Sequence, residues 1–188
     1  LYHRGFPWGI VSNGMLLTSE RLKSLLASGL HSITISLDGF EGEHNWLRNN
    51  PRSYAAATNA IKLLTNVQDV AWDVVTCVNK KNISSLPDLK EYLISTGVKQ
   101  WRIFTIFPVG RAAESPDLQL SDAEFTSVLD FIRATRLENR IHLNYGCEGF
   151  LGNYEQEVRD NFYTCHAGIN VASVLADGAI SACPSIRS

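Results

Sequence analysis

Residues 28–37 have the sequence SGLHSITISL, and residues 96–104 repeat this arrangement as TGVKQWRIF. In each stretch, a glycine that can adopt the left-handed turn ends an amphipathic helix, and a β-prone run follows within a few residues. This recurrence indicates an internal βα period. Strands separated by helices of this length run parallel, because only a crossover connection returns the chain to the same edge of the sheet. The two stretches therefore predict an α/β fold.

Five β-prone runs alternate with helical segments across residues 8–143. Two of the helical segments begin with a capping signal: Ser121 is followed by Glu124, and Ser85 by Asp88, at the spacing of a capping box. Eight strands in a complete barrel take roughly 250 residues. We therefore expect an incomplete parallel (β/α) barrel, with an open sheet as the alternative. The strand candidates are residues 8–11, 32–37, 71–78, 100–107 and 140–143.

The composition is that of a globular domain, with 45% hydrophobic and 19% charged residues among 188. The formal net charge is −2 and no run of like charges occurs, so we expect no nucleic-acid partner. No apolar stretch approaches the ~20 residues that cross a bilayer, which argues against a membrane protein. Four widely spaced cysteines fit a reduced, cytoplasmic setting. The chain has no initiating Met and begins almost at a strand, which suggests a fragment of a longer protein.

The character of the sequence changes near its C-terminal end, where three of the four cysteines lie. Two β-prone runs, 169–175 and 179–182, are joined by a turn containing Asp177-Gly178, and Asp-Gly is the strongest short signal for a hairpin. The hairpin would bring two cysteine sulfurs together at its base. We expect residues 1–145 to form the partial barrel and residues 146–188 to begin a cysteine-containing extension.

Thiolates gathered in this way suit a soft metal centre. Cys165 and Cys183 would supply two ligands, and Cys147 is a weaker candidate for a third. An iron–sulfur cluster takes about four cysteines, whereas a zinc site could recruit His166. Cysteines that bind no metal are the remaining alternative, because cysteine is commonly a small buried hydrophobic residue.

Polar residues follow the predicted strands, at the edge where parallel α/β proteins bind ligands. Asn13 follows the first strand, and Ser36 and Asp38 lie on one face at the end of the second. Arg48 has a forked guanidinium that suits a ligand carboxylate. The turn at residues 107–111 would bring backbone close to a planar ligand. The alternatives are ordinary turns at Asn13 and residues 107–111 and a solvated surface charge at Arg48.

In order and spacing, these residues resemble the C-terminal two-thirds of a radical S-adenosylmethionine (SAM) enzyme core that enters a SPASM or twitch extension. The resemblance covers nearly all of the chain. Ser12 stands where the family usually has Thr, and Asn45 where Asp is commoner. The motifs are SNGMLL at 12–17, ISLDG at 35–39 followed by His44 and Arg48, TCV at 76–78 with Asn82, PVGRA at 108–112, and the series Cys165, Gly178 and Cys183.

The resemblance implies a SAM site at the strand ends. Ser36 and Arg48 would contact the methionine carboxylate or the ribose of SAM, Asn13 would support that pocket, and Gly110 and Arg111 would lie near the adenine. In this family a reduced 4Fe-4S cluster passes an electron to SAM, which is cleaved to methionine and a 5′-deoxyadenosyl radical that abstracts hydrogen from the substrate.

The resemblance also implies an auxiliary 4Fe-4S cluster on Cys165, Cys183 and, more weakly, Cys147. The family associates such proteins with the maturation of peptides and proteins, as in sulfatase maturation, so we expect a peptide or protein substrate and an electron donor such as a flavodoxin or ferredoxin. Neither the family's Cys-x-x-x-Cys-x-x-Cys loop nor its Gly-Gly-Glu-Pro-like turn is in these residues. We therefore expect an enzyme truncated at its N-terminus and inactive alone. The alternative is a non-catalytic α/β module with a zinc-stabilised hairpin for protein interaction.

Overall fold

The chain folds around one sheet of five parallel strands. In the computed structural model, which describes residues 2–106, 110–146, 149–175 and 177–183, the strands follow one another across the sheet in chain order. Every neighbouring pair is parallel, and a helical connection crosses over between successive strands. The predicted α/β class is thus confirmed. The strands are β1 Trp8–Ser12, β2 Leu30–Ser36, β3 Ala71–Val78, β4 Gln100–Thr105 and β5 His142–Tyr145, and the helices are α1 Ser19–Ala27, α2 Glu41–Arg48, α3 Ser53–Leu64, α4 Leu86–Thr96, α5 Asp122–Glu138 and α6 Glu155–Val158.

The strand bounds differ from the sequence prediction by a few residues, as at the start of β5. This strand begins at His142 instead of residue 140, because Asn139 takes a left-handed conformation with φ +53° that ends α5. The His142 N–H then donates to the carbonyl of Lys99 at 2.9 Å, which begins the pairing with β4. The predicted end of the fourth strand, at residue 107, lies outside the described residues.

The two predicted capping signals have different outcomes. At Ser121 the box forms: its backbone N–H donates to Glu124 Oε2 at 2.7 Å, and the Glu124 N–H donates back to the Ser121 hydroxyl at 3.4 Å. At Ser85 the prediction is wrong, since the hydroxyl accepts no helical N–H. It donates instead to Glu43 Oε1. This bond ties the start of α4 to α2, which carries Glu43.

One face of the sheet is buried under α3, α4 and α5. Ile33, Ile35 and Trp101 on this face are fully buried. The Trp101 ring meets Phe131 of α5 edge to face, with centroids 6.0 Å apart, and its Nε1 donates to the Thr76 hydroxyl at 2.9 Å. Apolar burial of this kind is the main force that holds such a domain together.

The opposite face of the sheet is polar and partly exposed. Thr34 and Asp73 are register partners, and the Thr34 hydroxyl donates to Asp73 Oδ1 at 2.6 Å. Arg102 on β4 forms an ion pair with Asp73 and donates through Nη2 to the Thr34 hydroxyl at 2.9 Å. Val11, the register partner of Thr34 on β1, is 70% exposed. This face is therefore the one that a ligand can reach.

The predicted hairpin is present, but its strands are short. Strands β6 (Ser173–Val174) and β7 (Ile180–Ser181) pair antiparallel. In the turn, the Asp177 carboxylate accepts a bond from the Ala179 N–H at 2.9 Å. Each strand has two residues, because Val174 and Ile180 remain exposed and an isolated ribbon with little core beneath it is only marginally stable.

Candidate functional site

The carboxyl ends of β1, β2 and β3 lie side by side, because these strands are parallel neighbours. This strand-end edge carries Asn13, Ser36 and Asp38, three of the polar residues that the sequence analysis identified. The fold thus brings these residues to the same edge of the sheet. Contact of these three residues with a ligand stays a prediction.

The turn after β1 is held by its own side chains. The Ser12 hydroxyl accepts from the Gly14 N–H, and Asn13 Oδ1 accepts from the Met15 N–H, both at 3.1 Å. Gly14 has φ +76° and packs against α3, where an added Cβ would lie 2.9 Å from the carbonyl oxygen of Ala56. Asn13 therefore shapes the turn, and its support of a SAM pocket stays a prediction.

Asp38 is the centre of a polar cluster that also contains His44, Arg48, Cys77 and Asn82, here called the Asp38 cluster. Asp38 is 1% exposed. Its Oδ2 accepts from Arg48 Nε at 2.6 Å, and its Oδ1 accepts from the backbone N–H of Cys77 at 3.0 Å. A buried carboxylate needs partners of this kind, because burying an unpaired charge is very costly.

The backbone of Asp38 is held as firmly as its side chain. Its N–H donates to His44 Nδ1 at 2.9 Å, and its carbonyl accepts from Asn82 Nδ2 at 2.6 Å. Asn82 Nδ2 also donates to the Cys77 carbonyl at 2.9 Å. The sequence analysis treated His44 and Asn82 only as motif positions. The contact of Asn82 with Asp38 spans 44 residues, which no local pattern reveals, whereas that of His44 spans six and depends on how α2 docks.

The Asp38 carboxyl is expected to make the stability of the fold depend on pH. Burial alone raises its pKa, but the Arg48 guanidinium and the Cys77 N–H, which both donate to the carboxylate, outweigh burial and hold the pKa below its usual 3.8. Such a group stabilises the fold above its unfolded pKa, and this contribution is lost as the pH falls through the folded pKa. Below pH 3.8, the free energy of unfolding should therefore fall more steeply in the wild type than in Asp38→Asn.

Urea unfolding at a series of pH values checks this expectation. Burial raises the pKa of Asp160 as well, but hydrogen bonds from Asn144, Arg136 and His142 lower that pKa to about 2. Asp160 titrates in both proteins, so the difference between the two pH curves isolates Asp38. Curves with equal slopes would contradict the expectation.

Ser36 and Arg48 retain hydrogen-bonding capacity that the described part of the chain does not use. Ser36 is 7% exposed, and its hydroxyl has no partner among the described residues. Arg48 donates to Asp38 through Nε, whereas its terminal nitrogens form no bond within that same part of the chain. The side chain of Arg48 is 33% exposed. Asp38 thus anchors Arg48 through Nε, and contact between its terminal nitrogens and a ligand stays a prediction.

The segment after β4 is described only in part. Gly110 and Arg111 begin the 3-10 helix Gly110–Glu114. Residues 107–109, which include the first part of the PVGRA motif, lie outside the described residues, as does the side chain of Arg111. The position of Gly110 and Arg111 near an adenine stays a prediction.

The predicted cysteine ligands are described for two of the three positions. Cys165 is exposed and Cys183 is half-buried, while Cys147 lies outside the described residues. A Cβ on Gly168 would lie 3.4 Å from the Cβ of Ala182, so Gly168, three residues after Cys165, lies next to the residue that precedes Cys183. Within the described ranges, no three His, Cys, Asp or Glu side chains are arranged to hold a metal ion. A shared metal site stays a prediction.

An open cavity of about 590 Å³ lies between α2 and the loop after β3. Lys81 Nζ lies 4.4 Å from the centroid of the Trp46 ring at this cavity. No local sequence pattern indicates this cavity, because its walls come from two segments that are far apart in the chain. It is lined by Phe40, Gly42, Glu43, Trp46 and Lys81.

Comparison with known proteins supports one family, although no family model matches the sequence. Over 136 residues, the chain is 30% identical to an AdoMet-dependent heme synthase from Nitratidesulfovibrio vulgaris, an alignment that covers 72% of this chain and 37% of that protein. Over 177 residues, it is 26% identical to the sporulation killing factor maturation protein SkfB from Bacillus subtilis, which covers 93% of this chain and 41% of SkfB. The chain belongs to the radical SAM family.

Solved structures show the same fold. One is SuiB from Streptococcus suis, solved with bound S-adenosylmethionine. The match covers 94% of this chain and 42% of the SuiB chain, with a TM-score of 0.61 and 14% sequence identity. The structure of anSMEcpe with bound AdoMet and the Kp18Cys peptide matches 72% of this chain and 40% of its own with a TM-score of 0.58 at 16% identity. The prediction of a partial radical SAM barrel with a C-terminal hairpin is thus confirmed.

The chain spans about two-fifths of the length of the radical SAM relatives that it matches. The catalytic activity, substrates and partners of a whole radical SAM enzyme therefore do not transfer to these 188 residues directly.

Proposed function

We propose that these residues form the part of a radical SAM enzyme that holds the methionine carboxylate of SAM, followed by a SPASM-like extension. One observation carries the proposal: Arg48, anchored by Asp38, and Ser36, with an unused hydroxyl, lie at the same strand-end edge. This edge is where parallel α/β proteins bind ligands.

The donor set at this edge fits a carboxylate. A guanidinium bound through Nε still has terminal N–H groups for a second acceptor, and charge-assisted bonds of this kind are strong. The Ser36 hydroxyl, at the end of β2 and two residues before Asp38, adds one donor. When SAM binds beside a reduced 4Fe-4S cluster, the cofactor pair supplies the radical chemistry, and the protein supplies binding and orientation. In this proposal, Asn13 supports the pocket, and Gly110 and Arg111 flank the adenine.

Replacing Arg48 with Gln is expected to weaken the binding of SAM to the chain by roughly 10- to 100-fold. A lost hydrogen bond to a charged group costs about 1.5–3 kcal/mol, and 1.4 kcal/mol is a factor of ten. Equilibrium dialysis with labelled SAM measures the change. Ser36→Ala should cause a smaller loss, because a neutral hydroxyl contributes only about 0.5–1.5 kcal/mol.

Arg140→Gln is the matched control, since Arg140 forms an exposed ion pair with Glu91 near the opposite ends of the strands. It should leave SAM affinity unchanged. Equal affinity of Arg48→Gln and wild type would refute the proposed site. A wild-type chain that binds no SAM at millimolar concentration would refute it as well.

The extension is proposed to bind an auxiliary iron–sulfur cluster through Cys165 and Cys183, with Cys147 as a third ligand. The proximity of the chain near Cys165 to Ala182 supports this arrangement. Anaerobic reconstitution with iron and sulfide should give a brown protein, because iron–thiolate bonds absorb visible light. Cys165→Ala and Cys183→Ala should each lose most of the bound iron.

Cys77→Ala is the matched control for the cluster, since Cys77 lies in β3 within the sheet, and it should keep the iron of the wild type. A colourless protein that binds zinc and no iron would favour the alternative of a zinc-stabilised interaction module. Iron retained in full by Cys165→Ala and Cys183→Ala would exclude both cysteines as ligands.

The substrate in this proposal is a peptide or protein. The names of two similar proteins support it: SkfB is a maturation protein, and SuiB has been solved with the precursor peptide SuiA. A flavodoxin or ferredoxin would donate electrons, and the setting would be cytoplasmic. Within the described part of the chain, no helix is long and apolar enough to cross a membrane. The 188 residues alone are proposed not to cleave SAM, because they contain no Cys-x-x-x-Cys-x-x-Cys loop.

A further inference from the structure

We propose that Asp38 is a positioning residue, whose carboxylate fixes the Arg48 guanidinium so that its terminal nitrogens meet the ligand carboxylate end-on. The inference rests on the proposed SAM site. It adds a role for Asp38 that differs from direct contact with the ligand.

The position of the Asp38 carboxylate is set by the sheet itself. Oδ1 accepts from the Cys77 N–H at 3.0 Å, and this amide belongs to β3. Oδ2 accepts from Arg48 Nε at 2.6 Å. The Asp38 backbone is bonded at both its N–H and its carbonyl, to His44 and Asn82. Bonds on both carboxylate oxygens and on the backbone N–H and carbonyl leave Asp38 little freedom to move, so the point at which it binds Arg48 is fixed.

Helix α2 delivers Arg48 to this carboxylate in one orientation. His44 and Arg48 are four residues apart on α2, so they share one face of the helix. His44 is fully buried against Asp38. The burial of His44 therefore fixes which face of α2 is directed at Asp38, and Arg48 approaches Asp38 Oδ2 from one direction.

The contact through Nε decides which edge of the guanidinium is left for a ligand. A carboxylate can bind the planar fork in a bidentate manner either at the edge that includes Nε or at the end formed by the two terminal nitrogens. Asp38 occupies the first position. Only the end-on position remains, which restricts both the place and the plane of the ligand carboxylate.

For the effect of Asp38→Asn on the binding of a carboxylate, this role predicts a change opposite in sign to the one expected from charge alone. The Asp38 carboxylate partly cancels the positive charge of Arg48, so on charge alone Asp38→Asn would tighten the binding of an anionic group. If Asp38 positions Arg48, the same variant weakens that binding, because the guanidinium loses its fixed orientation.

The experiment compares SAM with decarboxylated SAM, which lacks only the carboxylate, by equilibrium dialysis on the 188-residue chain. The preference for SAM, given as the ratio of the two dissociation constants, should fall about tenfold in Asp38→Asn, whereas the affinity for decarboxylated SAM should stay as in the wild type. Asp130→Asn, a change at an exposed ion pair on α5, is the matched control and should keep the full preference. An unchanged or increased preference in Asp38→Asn overturns the inference.

Arg48→Lys provides a second variant that keeps a cation beside Asp38 and so preserves the fold if Asp38→Asn unfolds. An ammonium lacks the planar fork, so the preference for SAM should fall to a similar extent, and a full preference in this variant also overturns the inference. A wild type that binds both compounds equally refutes the proposed carboxylate site itself. A wild type that prefers SAM, together with Asp38→Asn that prefers it equally, refutes only the positioning role.

Discussion

Replacing Trp101 with alanine is expected to lower the free energy of unfolding by about 3–5 kcal/mol, the usual cost of truncating a buried aromatic side chain. Trp101 is fully buried on β4 at the centre of the covered sheet face. The change removes its packing against Phe131 and leaves the Thr76 hydroxyl without the indole donor. Since a domain is stable by only about 5–15 kcal/mol, the variant should be partly unfolded at modest urea concentration.

Urea denaturation followed by circular dichroism measures the loss. Trp46→Ala is the matched control, because Trp46 is 49% exposed and stacks with Lys81 at the surface. It should cost about 1 kcal/mol or less. Equal losses at the two tryptophans would show that the buried face of the sheet does not dominate stability.

Replacing Gly14 with alanine is the second large effect, at about 2–5 kcal/mol of unfolding free energy. The backbone at Gly14 has φ +76°, a conformation that costs a non-glycine residue about 1–2 kcal/mol. The new Cβ would also lie 2.9 Å from the Ala56 carbonyl and 3.0 Å from Ala57 Cα. These are backbone atoms of α3, which cannot move aside cheaply, and overpacking adds about 1–3 kcal/mol.

Gly5→Ala separates the two causes. Gly5 has φ +73°, almost the same conformation, but nothing lies within 4 Å of an added Cβ. It should lose only the conformational part, about 1–2 kcal/mol. If the two alanine variants were equally stable, the contact between the β1 turn and α3 would contribute nothing. Chemical denaturation of both variants under the same conditions makes the comparison.

The order of strands and helices was predictable from the sequence because short-range residue patterns indicate each element. The glycines at 29 and 97 and the β-prone runs after them required only local reasoning, and parallel pairing followed from the length of the connections. The Ser121 box was predictable for the same reason. Ser85 was not, because its side chain is directed to Glu43, 42 residues away, a contact that no local pattern shows.

The candidate site was predictable as a list of residues but not as a set of contacts. The sequence placed Ser36 at the end of a parallel strand and Arg48 downstream of it, and the fold brings Arg48, the last residue of α2, back to Asp38 at that edge. It gave no sign that Arg48 would be bound by Asp38 instead of facing water, since this pairing depends on the exact placement of α2 over the end of β2. Cys147 and residues 107–109 lie outside the described residues, so their predicted roles stay predictions.

The Asp38 cluster also bears on how the protein folds. Its bonds join the segment after β2, helix α2, strand β3 and the loop after β3, and the longest of them closes 44 residues of chain. The entropy of closing such a loop must be overcome before its contacts contribute. The cluster therefore depends on the pairing of β2 with β3 and on the docking of α2. Any local opening that detaches α2 would also release Arg48 from Asp38. The proposed carboxylate site and the docking of this helix therefore form and open as one cooperative unit.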